Sequence, residues 1–296
     1  MRLEELLEKI GIAGEDARAV LTANRLYGED IAPIAKAYME TDRASCAPQL
    51  AQIKALAEEK GASLYMLYLL FWLASMPTLY REYKEEGIDE EIFYASMADV
   101  GYKVKECKEV KGEVGVFVDW FTAFFEKRLF ALGRLQYHHH PFCIDEYTVG
   151  DFTVKRDEPV YQCHIPSSGR LLPEDVLDSF ARAYDFYKHE LSGSVMPICC
   201  ASWLLFPAYQ GTVFPEGSNT ARFAALFDII DVYHTEEFVD FWRVFGIEYE
   251  KRHKGIPTDT GLRRRMLAYM EKGGGYGAGY GIILYDGEKK EIINRK

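Results

Sequence analysis

His164, Ser202 and the turn residues between them are the side chains whose types and spacing could do chemistry. His164 closes a segment, 160–165, in which Tyr161, Cys163 and Ile165 alternate with Gln162 and His164, so the imidazole stands on the polar face of a strand. An imidazole there can act as a base or hydrogen-bond a neighbouring backbone group. Pro166-Ser167-Ser168-Gly169 then stops the strand with turn chemistry, and Arg170 follows. Backbone N–H groups in such a turn, and at the start of the helix beyond it, can hold an anion. Pro173 suits a first helical position, and Val176, Phe180, Ala183, Tyr184 and Tyr187 recur on one helical face. A second strand, from about Ile198 with Pro197 marking its start, is apolar on both faces and belongs inside a sheet. Ser202 and Trp203 at its end are placed to line a pocket. Strand, turn, helix and strand in this order form the smallest unit that builds a ligand crevice at strand ends.

Other reactive types are less well placed. Cys199 and Cys200 are adjacent, so a central strand sends them to opposite faces. They read as core thiols, or, paired with His164, as the nucleophile of a cysteine-dependent acyl transferase or hydrolase. No G-x-S-x-G surrounds Ser202, which disfavours a serine hydrolase. Of His138, His139 and His140, only the first and last can share a strand face. No H-E-x-x-H or C-x-x-C accompanies them or Cys143, so no metal is expected. The run GGGYGAGYG at 273–281 resembles neither a Walker loop nor a dinucleotide fingerprint and is expected to be a mobile lid over the crevice.

The elements that must position these groups fall into two regions. From 1 to about 130 the pattern is helical throughout, with helices expected at 16–27, 31–40, 48–60, from 64 to 84 with a bend near Pro77, 89–106 and 116–130. An aromatic core is expected from Trp120, Phe121, Phe124 and Phe125. Near Gly133 the period changes to two. Strands are expected at 134–138, 147–149, 152–154 and 160–165, forming an antiparallel meander. Beyond Leu205 come helices starting at Pro207, at Ser218 or Asn219, at Thr235 (236–245) and at 261–271, with strands at 227–233 and 282–285. The expected fold class is therefore α+β: an all-helical N-terminal domain, 1–130, then a mixed α/β domain, 131–296, with a largely antiparallel sheet.

A formal net charge of -11 argues against nucleic acid or an anionic membrane as the main partner. The apolar run 64–76 is too short to span a bilayer. No secretory signal is visible, and six cysteines without framework spacing read as reduced. The expected location is the cytoplasm.

The stretches Leu129-Phe130-Ala131-Leu132-Gly133-Arg134-Leu135-Gln136, His164-Ile165-Pro166, Ser202-Trp203-Leu204-Leu205-Phe206-Pro207 and Ser218-Asn219 resemble bacterial acyltransferase-domain proteins with a helical N-terminal domain and a GNAT-like C-terminal domain. The resemblance covers nearly the whole chain. It implies acyl-CoA as donor, a small-molecule amine as acceptor, and an N-terminal domain that shapes the acceptor pocket. It also implies a CoA-binding set comprising Ile165, Ser167, Ser168, Gly169, Arg170, Trp203 and Asn219. The implied catalytic set is His164, Ser202 and Tyr209, the tyrosine returning a proton to the departing thiolate. The chain departs from the GNAT pattern in having one glycine, Gly169, in the phosphate turn. It also carries Glu174 and Asp175 where they compete for the positive helix end, an effect Arg170 offsets in part. A catalytically silent ligand- or protein-binding module on the same scaffold is the alternative.

Overall fold

The computed structural model describes residues 1–294 and divides into two compact units, Met1–Ala131 and Leu132–Lys296. The first contains α1 (Leu3–Lys9), α2 (Gly14–Met39), α3 (Ala47–Lys60), α4 (Leu64–Glu85), α5 (Glu90–Lys111) and a single turn, α6 (Thr122–Phe125). Helix starts follow local chemistry: Ser63 accepts from the Met66 N–H at α4, and Asp89 from Glu91 at α5. The two helices expected at 16–27 and 31–40 are instead one. Val20, Ala23, Ile31, Ala35 and Tyr38 continue a single buried stripe through Gly28 and Pro33. Packing that stripe against α4 outweighs the local cost of glycine and proline, about 1 and 3 kcal/mol. The expected helix at 116–130 is also corrected. Gly115 lies so close to Tyr65 that an added Cβ would sit 2.4 Å from its carbonyl carbon, and the Val116 N–H donates to the Tyr65 carbonyl. This contact holds the segment irregular until α6.

Trp72 centres this unit's core, ringed by Tyr38, Phe71, Phe121 and Phe125 at centroid separations of 4.8–5.7 Å. Trp120, expected in the core, is instead exposed, with Lys103 over its ring. Beside the core Arg43 forks onto Glu82 at 2.7 and 2.6 Å and also donates to the Met39 and Phe125 carbonyls. Burial alone would raise the Glu82 carboxyl, but the Arg43 hydrogen bonds and nearby Lys127 hold it below the ordinary range.

The second unit is built on one sheet. Its strands are β1 (Phe130–Leu132), which straddles the boundary, β2 (Leu135–Pro141), β5 (Pro159–His164), β6 (Val195–Ser202), β7 (Asp228–Thr235), β8 (Tyr276–Asp286) and β9 (Glu291–Ile292). The order is β1-β2-β5-β6-β8-β7, with β9 beside β8. The pairs β2–β5, β6–β8, β7–β8 and β8–β9 are antiparallel, and β5–β6 is parallel. A separate hairpin, β3 (Glu146–Val149) and β4 (Phe152–Lys155), leaves the sheet between β2 and β5, so the expected meander is not formed. Its Tyr147 and Val154 bury against Val160, Cys199 and Ile282 on the sheet. Helix α7 (Pro173–Tyr187) covers the opposite face, where Ser179 fastens the β1–β2 turn. Its Oγ donates to the Leu132 carbonyl and accepts from the Leu135 N–H at 3.0 Å. The remaining helices are α8 (Asn219–Ala224), α9 (Phe241–Phe245) and α10 (Gly261–Glu271). The expected helix 236–245 thus forms only over its last turn, while 207–209 makes a single 3₁₀ turn. Pro197 lies inside β6, tolerated because pairing with β5 begins only at Ile198. Among the described residues no helix is long and apolar enough to cross a membrane.

The glycine run is not a lid. From Tyr276 onward it is β8, paired on one side to β6 and on the other to β7. Its glycines are contact surfaces. A Cβ on Gly279 would lie 2.4 Å from the Leu205 carbonyl oxygen, and one on Gly281 2.7 Å from Phe227 Cβ. The turn after β6 therefore rests directly on the backbone of β8. Gly279→Ala is expected to lower stability by about 1–3 kcal/mol through overpacking against backbone. Gly275→Ala, with nothing within 4 Å, should stay within about 0.5 kcal/mol. Denaturant unfolding of the two variants checks this.

Candidate functional site

The sheet opens between β5 and β6. Their parallel pairing holds for Tyr161–Ile198 and Gln162–Cys199 and then stops, although β5 runs on to His164 and β6 to Ser202. The outer partners do not let go. Gln136 still pairs with His164, and Gly279 with Ser202. Each strand is held from outside while the seam between them parts, which makes a built opening rather than a frayed end.

A cleft of about 710 Å³ lies at this opening, within the second unit. Ile165, Pro166, Ser167, Gly169 and Arg170 form one side of it, and Trp203, Leu204 and the Ser218–Asn219 corner another. Arg134, Arg170 and Arg243 line it, in a chain of formal charge -11, and Arg243 is paired with Asp240 at 2.5 Å. Arg134 shapes the turn. Its guanidinium donates to the carbonyls of Arg170 at 3.0 Å, Pro166 at 3.2 Å and Gly169 at 2.7 Å. A trans peptide sets its N–H opposite its C=O. The N–H groups of Ser167, Arg170 and Leu171 therefore point away from that cation. Gly169 takes φ +112, a conformation an L side chain rarely adopts. Arrays of backbone N–H beside guanidinium groups suit phosphate oxygens. Glu174 and Asp175, expected to compete there, are exposed and do not line the cleft.

Six of the seven residues expected to bind a cofactor line this cleft: Ile165, Ser167, Gly169, Arg170, Trp203 and Asn219. Ser168 sits in the same turn, exposed, and does not line the cleft. The catalytic candidates are not brought together with them. Ser202 spends its hydroxyl accepting from the Leu204 N–H at 3.2 Å. Tyr209 is fully buried in an aromatic cluster with Phe206, Phe214 and Phe238, because the segment expected as a helix makes one 3₁₀ turn and folds inward. Burial holds its phenol well above the ordinary value, and it does not line the cleft. His164 stands on the other sheet face, the face of Gln162, Cys199 and Ala201, and Ala201 is exposed there although its strand is central. The opening is thus approached from both faces, with the cleft on one and His164 on the other.

Burial and the charge of His140 push the His164 imidazole down to about 4, so it is neutral near pH 7. Cys199 and Cys200 are both buried, and burial pushes the Cys199 thiol up to about 12. That is the reverse of what an attacking cysteine requires, and it removes the support for a cysteine-dependent reaction. Among the described residues no group of three or more His, Cys, Asp or Glu is arranged to hold a metal ion.

Residues 129–283 match the GNAT-like C-terminal domain family and residues 1–126 the N-acyltransferase N-terminal domain. The chain belongs to the GNAT-like C-terminal domain family. No curated protein matches it by sequence. Among solved structures it is similar to an acyltransferase in complex with decanoyl-CoA and teicoplanin, at TM-score 0.71 and 22% identity, covering 95% of this chain and 86% of that one. A mutant acyltransferase in complex with octanoyl-CoA is similar at TM-score 0.71 and 21% identity, and one in complex with CoA and 10C-teicoplanin at 0.70 and 21%, with the same coverage. At that identity the likeness is one of fold. The α+β architecture expected from the sequence is the architecture of the family.

Sequence reasoning missed Arg134 and Arg243 as cleft residues. Arg134 lay inside a recognised stretch, but its polar position in a strand pattern carried no hint of a turn more than thirty residues away. Two measurements check the site. Arg134→Ala is expected to loosen the turn, lowering the nitrogen-15 backbone order parameters of 167–171 by about 0.2, with those of the β6–β8 core unchanged. His164 has a folded value of about 4 against an ordinary 6.5, so as pH falls the unfolded chain binds the proton first. Stability therefore drops between pH 6.5 and 4. Between pH 7 and 4.5 the wild type should lose about 2–3 kcal/mol more than His164→Gln in denaturant unfolding.

Proposed function

We propose that the protein is an acyl-CoA-dependent N-acyltransferase, transferring an acyl group from the thioester to the nitrogen of a small-molecule amine. The observation that carries this is the opening between β5 and β6, with an amide-rich turn and the guanidinium groups of Arg134 and Arg170 on its cleft side. The family match and the acyl-CoA held by similar structures support the choice of donor. In this reading the backbone N–H groups of Ser167 and Arg170 and the Arg170 guanidinium hold the phosphates, while Gly169 gives the chain room for them to approach. Ile165 and Trp203 flank the pantetheine arm as it enters the slot, and Asn219 faces it from the far wall. Ser168 acts by shaping the turn.

The amine reaches the thioester from the His164 face, past exposed Ala201. Its lone pair attacks the carbonyl carbon, and the oxygen becomes an oxyanion stabilised by N–H groups at the strand ends. The C–S bond breaks, the amide forms, and the nitrogen's proton passes to neutral His164. The thiolate takes its proton from water, since Tyr209 is sealed in the core. Domain bounds of 1–130 and 131–296 follow from the same reading, with the donor site in the second. Six free cysteines and an intracellular donor favour the cytoplasm.

Titration calorimetry with CoA and with decanoyl-CoA tests the assignment. Saturable binding in the micromolar range is expected, and weakening by about tenfold in Arg134→Lys, because the single nitrogen of an ammonium cannot span three carbonyls spread along a planar guanidinium. Absence of heat at millimolar CoA would sink it.

A further inference from the structure

The face that carries His164 is unusually polar for a sheet interior. Strand β2 contributes Gln136, His138 and His140, and β5 contributes Gln162 and His164. Gln136 is opposite His164 and His138 opposite Gln162, so the imidazoles of His138 and His164 are diagonal neighbours. His164 Nε2 and His138 Nδ1 are 3.0 Å apart, and the ring centroids 4.8 Å. At that distance one nitrogen donates and the other accepts, so a single proton lies between the rings and sets the tautomer of both. His140 stands next along the strand, its centroid 5.8 Å from that of His138. Its Nδ1 is 2.7 Å from the Pro141 carbonyl, which fixes the proton on that nitrogen. The other titratable groups on this face are Cys199 on β6, Tyr280 on β8, Cys143 beside them with Tyr233 against it, Tyr147 of the hairpin, and Asp228 and Asp231 on β7, three strands away from β5. No carboxylate stands on this face of β2, β5 or β6 to stabilise an imidazolium.

This leaves a base with nowhere to keep a proton. A half-buried imidazole without an anionic partner holds positive charge poorly, and burial has already pushed His164 far down. A hydrogen-bonded second imidazole removes the difficulty by accepting the charge as it forms. Resting on the reading of His164 as the base, we propose that His138 is its positioning partner and proton acceptor. As His164 Nδ1 receives the proton from the amide nitrogen being formed, the Nε2 proton crosses to His138 Nδ1. His164 ends neutral in the other tautomer and His138 carries the charge. His138 then gives a proton from Nε2 to solvent, and the pair resets through solvent after product leaves. One proton has moved from amine to water, and no other co-reactant is required.

The test is nitrogen-15 NMR of histidine-labelled, ligand-free protein between about pH 3 and 8, where imidazole shifts report both tautomer and protonation. In the wild type His138 and His164 are expected to titrate as one coupled pair, each ring showing both steps, with His164 held as a single tautomer. His138→Gln keeps an acceptor for the Nε2 proton but cannot be protonated. It should preserve the His164 tautomer, reduce its titration to one step and move the midpoint by about one pH unit. His138→Phe should release the tautomer to a mixture. Independent titration of the two rings in the wild type, or a His164 curve unchanged in His138→Gln, would overturn the proposal. Because these spectra need no CoA, failure here leaves donor binding to be decided by calorimetry on the same sample, and the reverse.

Discussion

Everything at the cleft depends on one guanidinium. Arg134 draws three carbonyls of a single turn toward itself, and the planarity of the peptide then turns the corresponding N–H groups the other way. A turn left to its own composition, two serines and one glycine, has no reason to present its amides in concert. The anchor is itself anchored: Arg134 lies in the turn that Ser179 of α7 clasps from both sides, at the Leu132 carbonyl and the Leu135 N–H. The helix that follows the turn in sequence thus fixes the arginine that shapes it. This closes a loop of constraints from strand to turn to helix and back. It also places a positive charge behind the amide array, where it adds to their attraction for an anion without occupying their site.

The opening in the sheet is the second consequence of pairing from outside. A parallel pair that ends after two residues would ordinarily be read as weak. Here the continuation of β2 along β5 and of β8 along β6 keeps both strands straight while they part. The glycines of β8 make this possible on the β6 side. They let the Trp203–Leu205 turn lie on the strand's backbone, so the chain leaves β6 sharply and brings Trp203 to the cleft. Gly277, Gly279 and Gly281, which carry no side chain, therefore act on the site through the space they leave empty.

Local chemistry made some of this legible. The alternation at 160–165, the proline opening α7, the Ser218 cap and the bounds of α10 are signals contained within a few residues, and the fold respects them. The failures share a physical origin as well. The glycine run looked like a flexible loop because glycine has high freedom in an isolated chain, whereas two neighbouring strands and a turn pressing on its face make it a central strand. The segment 116–130 has a helical apolar pattern, but a close approach to Tyr65 determines its path. Tyr209 was placed by analogy on a helix that does not form, and its ring is consumed by the core.

The sequence by itself determined which residues could form strands and helices, the change of architecture near residue 130, and the turn at 166–170 as an anion-binding candidate. These follow from periodicity, capping and turn propensity, all short-range properties of the chain. Only the tertiary structure decided that β5 and β6 part, that Arg134 reaches the turn, and that His138 shares a proton with His164. Each of these joins residues 26 to 37 positions apart, and such distances are set by strand register and helix packing, which no local pattern encodes.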